Sequence, residues 1–136
     1  MERKDIDGFV IRAKDLTKRF GKTTAVQGAS FDVPEGCMFA LIGRNGAGKT
    51  TTIRMLLGLE PIDSGEAEVF GLNPKKKDVE IRRRTGYVPE THHIYPWMKV
   101  SEVTWFVSAF YPTWNAALCD DLLNRDASCE HHVREP

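Results

Sequence analysis

One stretch constrains this chain more than any other: Gly43-Arg44-Asn45-Gly46-Ala47-Gly48-Lys49-Thr50. It fits G-x-x-x-x-G-K-[ST], the pattern of a loop that wraps a polyphosphate. With glycine at ~7% of residues, a chain this long carries such a match by accident in roughly half a percent of cases, so the match is informative. The context agrees. Residues 37–42 are an apolar run that reads as a buried strand, and residues 49–59 have helical spacing, with Ile53, Leu56 and Leu57 on one face. A strand, a glycine-rich bend and a helix are what the chemistry needs. Gly43, Gly46 and Gly48 let backbone amides turn inward without a Cβ clash. Successive N–H groups then form an anion-binding hollow, and the helix directs its positive end at the phosphates. Lys49 adds a mobile full charge for the β- and γ-phosphates, and the Thr50 hydroxyl is placed to hold magnesium. The expected ligand is ATP or GTP with magnesium.

Composition matters here because it makes that site a local one. Lys plus Arg is 19 and Asp plus Glu is 19, so no broad field draws in nucleic acid or anionic lipid. The basic runs Lys75-Lys76-Lys77 and Arg82-Arg83-Arg84 are interrupted by Asp78 and Glu80 and read as a solvated helix face. No nucleic-acid partner is expected. Hydrophobic residues at 41% and charged residues at 28% favour a folded domain. Cys37, Cys119 and Cys129 form no C-x-x-C pair and suit a reducing, cytoplasmic setting. Met1-Glu2-Arg3-Lys4-Asp5 leads into no apolar core, so no secretory leader is expected. The most apolar stretch, 103–111, is far below the ~20 residues of a membrane span. A membrane role would therefore require a separate membrane-crossing partner.

Around the loop, residues 9–11 open a strand, 18–22 form a basic turn, and 24–33 alternate as a second strand. Pro34-Glu35-Gly36 is a turn. Further on, 66–70 and 86–88 read as short strands and 75–84 as a charged helix. Ser101 caps a helix to about 110, and Thr113 caps another over 114–125. The pair Asp120-Asp121 lies inside that last helix and reads as solvated surface. Residues 126–136 have almost no apolar side chains and are expected to be a disordered tail. Cys129, His131 and His132 in it lack a scaffold that could hold a metal.

Set beside these motifs, the chain resembles the ATP-binding subunit of an ABC transporter. The likeness runs over residues 1–125, most clearly from Phe9. It is carried by Leu16-Thr17-Lys18-Arg19-Phe20-Gly21, Ala25-Val26, Phe31-Asp32-Val33-Pro34-Glu35-Gly36 and 41–51. It continues in Leu57-Gly58-Leu59, Ser64-Gly65-Glu66, Gly86-Tyr87-Val88-Pro89-Glu90 and Tyr111-Pro112-Thr113-Trp114. Asn45-Gly46-Ala47-Gly48-Lys49-Thr50-Thr51 is the form of the phosphate loop characteristic of that family. The resemblance implies an α/β fold: a P-loop NTPase core of parallel sheet and helices, plus an N-terminal antiparallel β portion. It implies ATP and magnesium as ligands, held by Gly43, Asn45, Gly46, Ala47, Gly48, Lys49, Thr50 and Thr51, with Thr51 supporting the α-phosphate. It makes Phe20 the aromatic that stacks on adenine and puts Val26 near the base or ribose. Glu90 stands where most members have a glutamine that contacts magnesium and the attacking water. Glu in Gly-Tyr-Val-Pro-Glu is similar to a prokaryotic, ABC-2-exporter-like subset, and a carboxylate suits magnesium. The implied catalytic pair is Lys49 and Glu90, with Thr50 and Glu90 as the metal ligands. The implied partners are a transmembrane permease and a second ATP-binding domain. The implied location is cytoplasmic, peripheral on the inner face of the cell membrane through the permease. The loop His92-His93-Ile94-Tyr95-Pro96-Trp97-Met98 would face that permease.

The likeness covers the N-terminal half of such a domain. A Leu-Ser-Gly-Gly-Gln-like signature, an apolar strand ending in Asp-Glu and a switch histidine do not occur in the sequence. The family is an ATPase; this chain is expected to be a truncated member that binds nucleotide and hydrolyses it poorly. Two other readings stand at this stage, a non-catalytic product with weak nucleotide binding and a phosphotransferase of another P-loop class. With the later strands missing, the parallel sheet is expected to keep an unpaired edge.

Overall fold

The structure, a computed structural model, describes residues 8–90, 95 and 97–125. The expected disordered tail at 126–136, with Cys129, His131 and His132, and four residues of the expected permease-facing loop (92–94 and 96) lie outside the described residues. The chain divides into two units, Met1–Tyr87 and Val88–Pro136.

In the first unit, β1 (Phe9–Phe20) and β2 (Thr23–Pro34) form a long antiparallel hairpin, and β3 (Ser64–Val69) joins the other edge of β1, giving the order β2-β1-β3. The hairpin turns at Gly21, whose φ of 57° lies in the left-handed region that glycine reaches without strain. Alternation along the strands, reset between Ala13 and Leu16 by an irregularity where Asp15 takes φ 52°, sends Ala13, Leu16, Val26, Ala67 and Val69 into one core. Met55 and Leu56 of α1 (Lys49–Leu56), Ile62, and Ile81 of α2 (Pro74–Arg83) cover it from the other side. Leu16, Met55 and Ile81 are fully buried.

Helix α1 ends three residues before the spacing of apolar residues would end it. Gly58 takes φ 67°, its N–H bonds to Met55 O at 3.1 Å and the Leu59 N–H to Arg54 O at 2.8 Å. This is the double bond of a Schellman stop. Helix α2 starts where Asn73 Oδ1 accepts from the Lys75 N–H at 2.9 Å, with Pro74 in the first turn, where its missing N–H does no harm. Four of its charges pair along the helix, Asp78 with Arg82 at 2.7 Å and Lys77 with Glu80 at 3.6 Å.

The expected parallel strands differ most. Residues 37–42 and 86–88 follow no regular pattern, and no described strand pairs with either. Ile42 is 94% exposed and Met38 wholly so. An apolar run becomes a strand only when neighbours take its N–H and C=O groups. Here no described neighbour does.

In the second unit, α3 (Val100–Ser108) and α4 (Ala116–Arg125) are both short. Their starts also correct the expected caps. Lys99, not Ser101, precedes α3, with its N–H bonded to Glu102 Oε2 at 2.8 Å. Asn115, not Thr113, caps α4, with its Oδ1 accepting from the Leu118 N–H at 3.0 Å. Asp121 pairs with Arg125 at 2.7 Å on an exposed face.

Candidate functional site

The glycine-rich loop sits where residues 37–42 run into α1. Gly46 and Gly48 adopt φ of 81° and 82°, so the chain bends twice through conformations that a side chain resists. Gly48 is constrained a second time. A Cβ there would collide with the Ala25 carbonyl and come within 2.9 Å of Val26 Cγ2. The loop therefore packs directly on β2, and only glycine fits at the point of contact.

Gly48 is also the N-cap of α1 and offers no side-chain acceptor. The first amides of a helix have no partner within it, so the N–H groups of Lys49, Thr50 and Thr51 are left to an outside acceptor. The Thr52 N–H and hydroxyl both go to Gly48 O, at 2.8 and 2.9 Å, and tie the first turn to the bend. Within the loop the Ala47 N–H bonds to Arg44 O at 3.1 Å. A bend with a run of open amides at a helix N-terminus suits an anion.

Lys49 closes the other side. Its Nζ donates to Gly43 O at 2.7 Å and Arg44 O at 2.9 Å, which folds the side chain back over the loop. The ammonium is thus held at the loop by two neutral acceptors. Phosphate oxygens would offer charged ones, and hydrogen bonds between charged partners are stronger. Thr50 is exposed and its hydroxyl has no hydrogen-bond partner among the described residues, which leaves the oxygen available to a cation. The donor set therefore fits a nucleotide polyphosphate with magnesium. Among the described residues no group of three His, Cys, Asp or Glu side chains could hold a metal by itself, so magnesium would rest mainly on the phosphates. That is its usual preference.

Of the other expected residues, Phe20 ends β1 beside the hairpin turn and is 48% exposed. Register puts Lys18 opposite Val26 and Phe20 opposite Thr23. The ring thus lies on the strand end just beyond the point where Gly48 touches β2. Val26 is buried in the core and packs against Gly48, so it meets the loop from beneath. Glu90 is exposed and belongs to the second unit. The first unit thus brings together the loop, Lys49, Thr50, Thr51, Val26 and the strand end that bears Phe20.

Two groups at this end went unnoticed in the sequence. Lys18, there counted as part of a basic turn, is only 5% exposed and pairs with Asp63 at 3.1 Å. Asp63 also accepts from the Arg19 N–H at 2.7 Å. That backbone bond first, then the Lys18 ammonium, holds the Asp63 carboxyl below its ordinary range. The two residues lie 45 positions apart, and no local pattern links them.

Comparison with known proteins bears on the same region. Residues 26–134 match the family described as ABC transporter. The chain is 46% identical over 86 residues to the bacitracin transport ATP-binding protein BcrA of Bacillus licheniformis, covering 63% of this chain and 28% of that protein. It is 38% identical over 102 residues to the linearmycin resistance ATP-binding protein LnrL of Bacillus subtilis, covering 75% and 33%. A solved ATP-binding subunit of an ABC transporter superposes with a TM-score of 0.65 at 31% identity, covering 79% of this chain and 45% of that one. The chain thus spans a third or less of the length of these two curated relatives.

Proposed function

This chain belongs to the ABC transporter family and has the fold of part of its ATPase cassette, and from that premise we propose that it binds Mg-ATP through residues 43–51. The observation that carries the proposal is the bend itself: two left-handed glycines, open amides at the start of α1, and an ammonium already held at the loop. In this reading the amides of Asn45, Gly46, Gly48, Lys49 and Thr50 surround the β- and γ-phosphates. Gly43 and Ala47 shape the bend, and Thr51 supports the α-phosphate. Lys49 leaves the two carbonyls to neutralise the β- and γ-phosphates. The Thr50 hydroxyl holds magnesium, which when bound shields the phosphate charge for transfer to water. Phe20 stacks on the adenine, and Val26 acts by supporting the loop under the ribose end. In the whole protein, Glu90 would be the carboxylate that offers magnesium a second oxygen and orients the attacking water.

Hydrolysis and transport are proposed for the whole protein, assembled with a second ATP-binding domain and a membrane permease. Among the described residues no helix is long and apolar enough to cross a membrane, and docking on a permease at the cytoplasmic face would supply the membrane contact. The relatives named for bacitracin transport and linearmycin resistance support a transporter role for the nucleotide site. The test is titration calorimetry with Mg-ATP. Lys49→Ala is expected to weaken binding roughly ten- to hundredfold, from the ~1.5–3 kcal/mol of a charge-assisted hydrogen bond. Equal affinity in the two proteins removes the assignment.

A further inference from the structure

The strand end beside the loop contains a charge arrangement that the nucleotide reading does not use. Lys18 is 5% exposed, so its ammonium offers almost nothing to a ligand in solution. It faces two groups of the protein instead. Asp63 Oδ1 lies 3.1 Å from Nζ, and the Phe20 ring centroid lies 5.2 Å from it, with the ammonium over the ring. Lys18 and Phe20 are two apart on β1, so both project to the same side of the strand. Asp63 is itself fixed twice by the same strand. Its Oδ2 accepts from the Arg19 N–H at 2.7 Å and its own N–H donates to Thr17 O at 3.1 Å.

A cation over an aromatic face is attracted by the ring's negative π-surface, and that attraction restricts how the ring turns. A ring has two faces. The ammonium takes one of them, while half of the side chain stays open to solvent. A flat base stacks on a face, and the open face is the one left for it. The opposite strand position to Lys18 is Val26, which supports Gly48 of the phosphate loop. The element that sets the ring is thereby registered to the element that sets the phosphates.

We propose that Lys18, clamped by Asp63, is a positioning residue for nucleobase recognition, holding the Phe20 ring so that its free face receives the purine of a nucleotide whose phosphates lie on residues 43–51. This rests on the stacking role given to Phe20 above. Lys18 makes no contact with the nucleotide in this scheme; its effect passes entirely through the ring.

The test compares Mg-ATP with Mg-tripolyphosphate, which has the phosphates and no base, by calorimetry on the full chain. Lys18→Met is expected to weaken Mg-ATP roughly three- to tenfold and to leave tripolyphosphate within about twofold. In a Phe20→Ala background Lys18→Met should have no further effect on Mg-ATP. Asp63→Asn keeps an acceptor for the Arg19 N–H but no longer anchors the ammonium by charge, and should show the same selective loss. It decides the matter if Lys18→Met does not fold. Equal loss for both ligands in the folded variant, or an undiminished Lys18 effect without the ring, overturns the proposal. The stacking role fails separately: Phe20→Ala would then leave the ratio of the two affinities unchanged. A lowered ratio in Phe20→Ala with none in Lys18→Met or Asp63→Asn sinks the positioning role alone.

Discussion

The antiparallel sheet and the more apolar stretch that leads into the glycine-rich loop have opposite fates. Along β1, Ala13 and Leu16 are buried, because β2 and β3 take the backbone bonds on either side and α1 and α2 cover the face. Residues 37–42 are more continuously apolar, yet Met38 and Ile42 lie open and no described strand flanks them. The difference shows that hydrophobic pattern proposes a strand and hydrogen-bonding neighbours make it one. It also shows that the phosphate loop does not depend on that strand alone for its shape. Gly48 rests on Ala25 and Val26 of β2, which belong to the well-packed side.

The sharpest way to break this contrast is to cut into both regions. Leu16→Ala removes a fully buried side chain and should cost about 2–5 kcal/mol in urea denaturation. A loss below ~0.5 kcal/mol would mean that the sheet is not the stable part. Gly48→Ala tests the link between the regions. It forces a Cβ onto the Ala25 carbonyl at φ 82°, which should cost about 1–3 kcal/mol and abolish Mg-ATP binding. A variant that binds normally would show that the loop is not seated on β2.

A smaller effect is expected in acid. The Arg19 N–H first, and then Lys18, favour the charged form of Asp63 and hold its carboxyl below the ordinary aspartate range. A group lowered in this way stabilises the fold above the unfolded pKa and loses that contribution as pH falls through the folded pKa. Stability should therefore hold from neutral pH down to about pH 4 and decline below it. Asp63→Asn should flatten that decline, which chemical denaturation at a series of pH values would register; an unchanged acid limb would assign the loss to other carboxylates. The smallest effect belongs to the open stretch. Ile42→Ser should change stability by no more than about 0.5 kcal/mol, and a larger loss would place Ile42 in a core.

Legibility followed the range of the forces involved. The bend of the glycine-rich loop and the start of α1 could be read outright because their requirements are local: glycine where φ is positive, and the helix opening at Lys49. While the run of β1 through Lys18 to Phe20 was taken for a turn, the opening of β1, the alternation of β2 and the short β3 were also visible, as was α2 as a charged helix. The end of α1 was not, since Leu57 and Leu59 continue the apolar spacing while Gly58 stops the helix through two backbone bonds. Helix starts were missed where Glu102 and Asn115 supply the cap in place of the nearest hydroxyl residue. The Lys18–Asp63 pair was invisible because its partners meet only after β3 is laid against β1. Residues 37–42 were misread for the converse reason. Their pattern is a local signal, while the ladder that would make them a strand requires other segments.

In the proposed complex the N–H groups of Asn45, Gly46, Gly48, Lys49, Thr50 and Thr51, together with the Lys49 ammonium, face a polyphosphate, while the Ala47 N–H stays bonded to Arg44 O. Titrating Mg-ATP into the isotope-labelled chain and following the amide resonances tests this directly. The signals of Asn45, Gly46, Gly48, Lys49, Thr50 and Thr51 should move most, while those of β3 stay in place. Saturation with those six signals unmoved would contradict it.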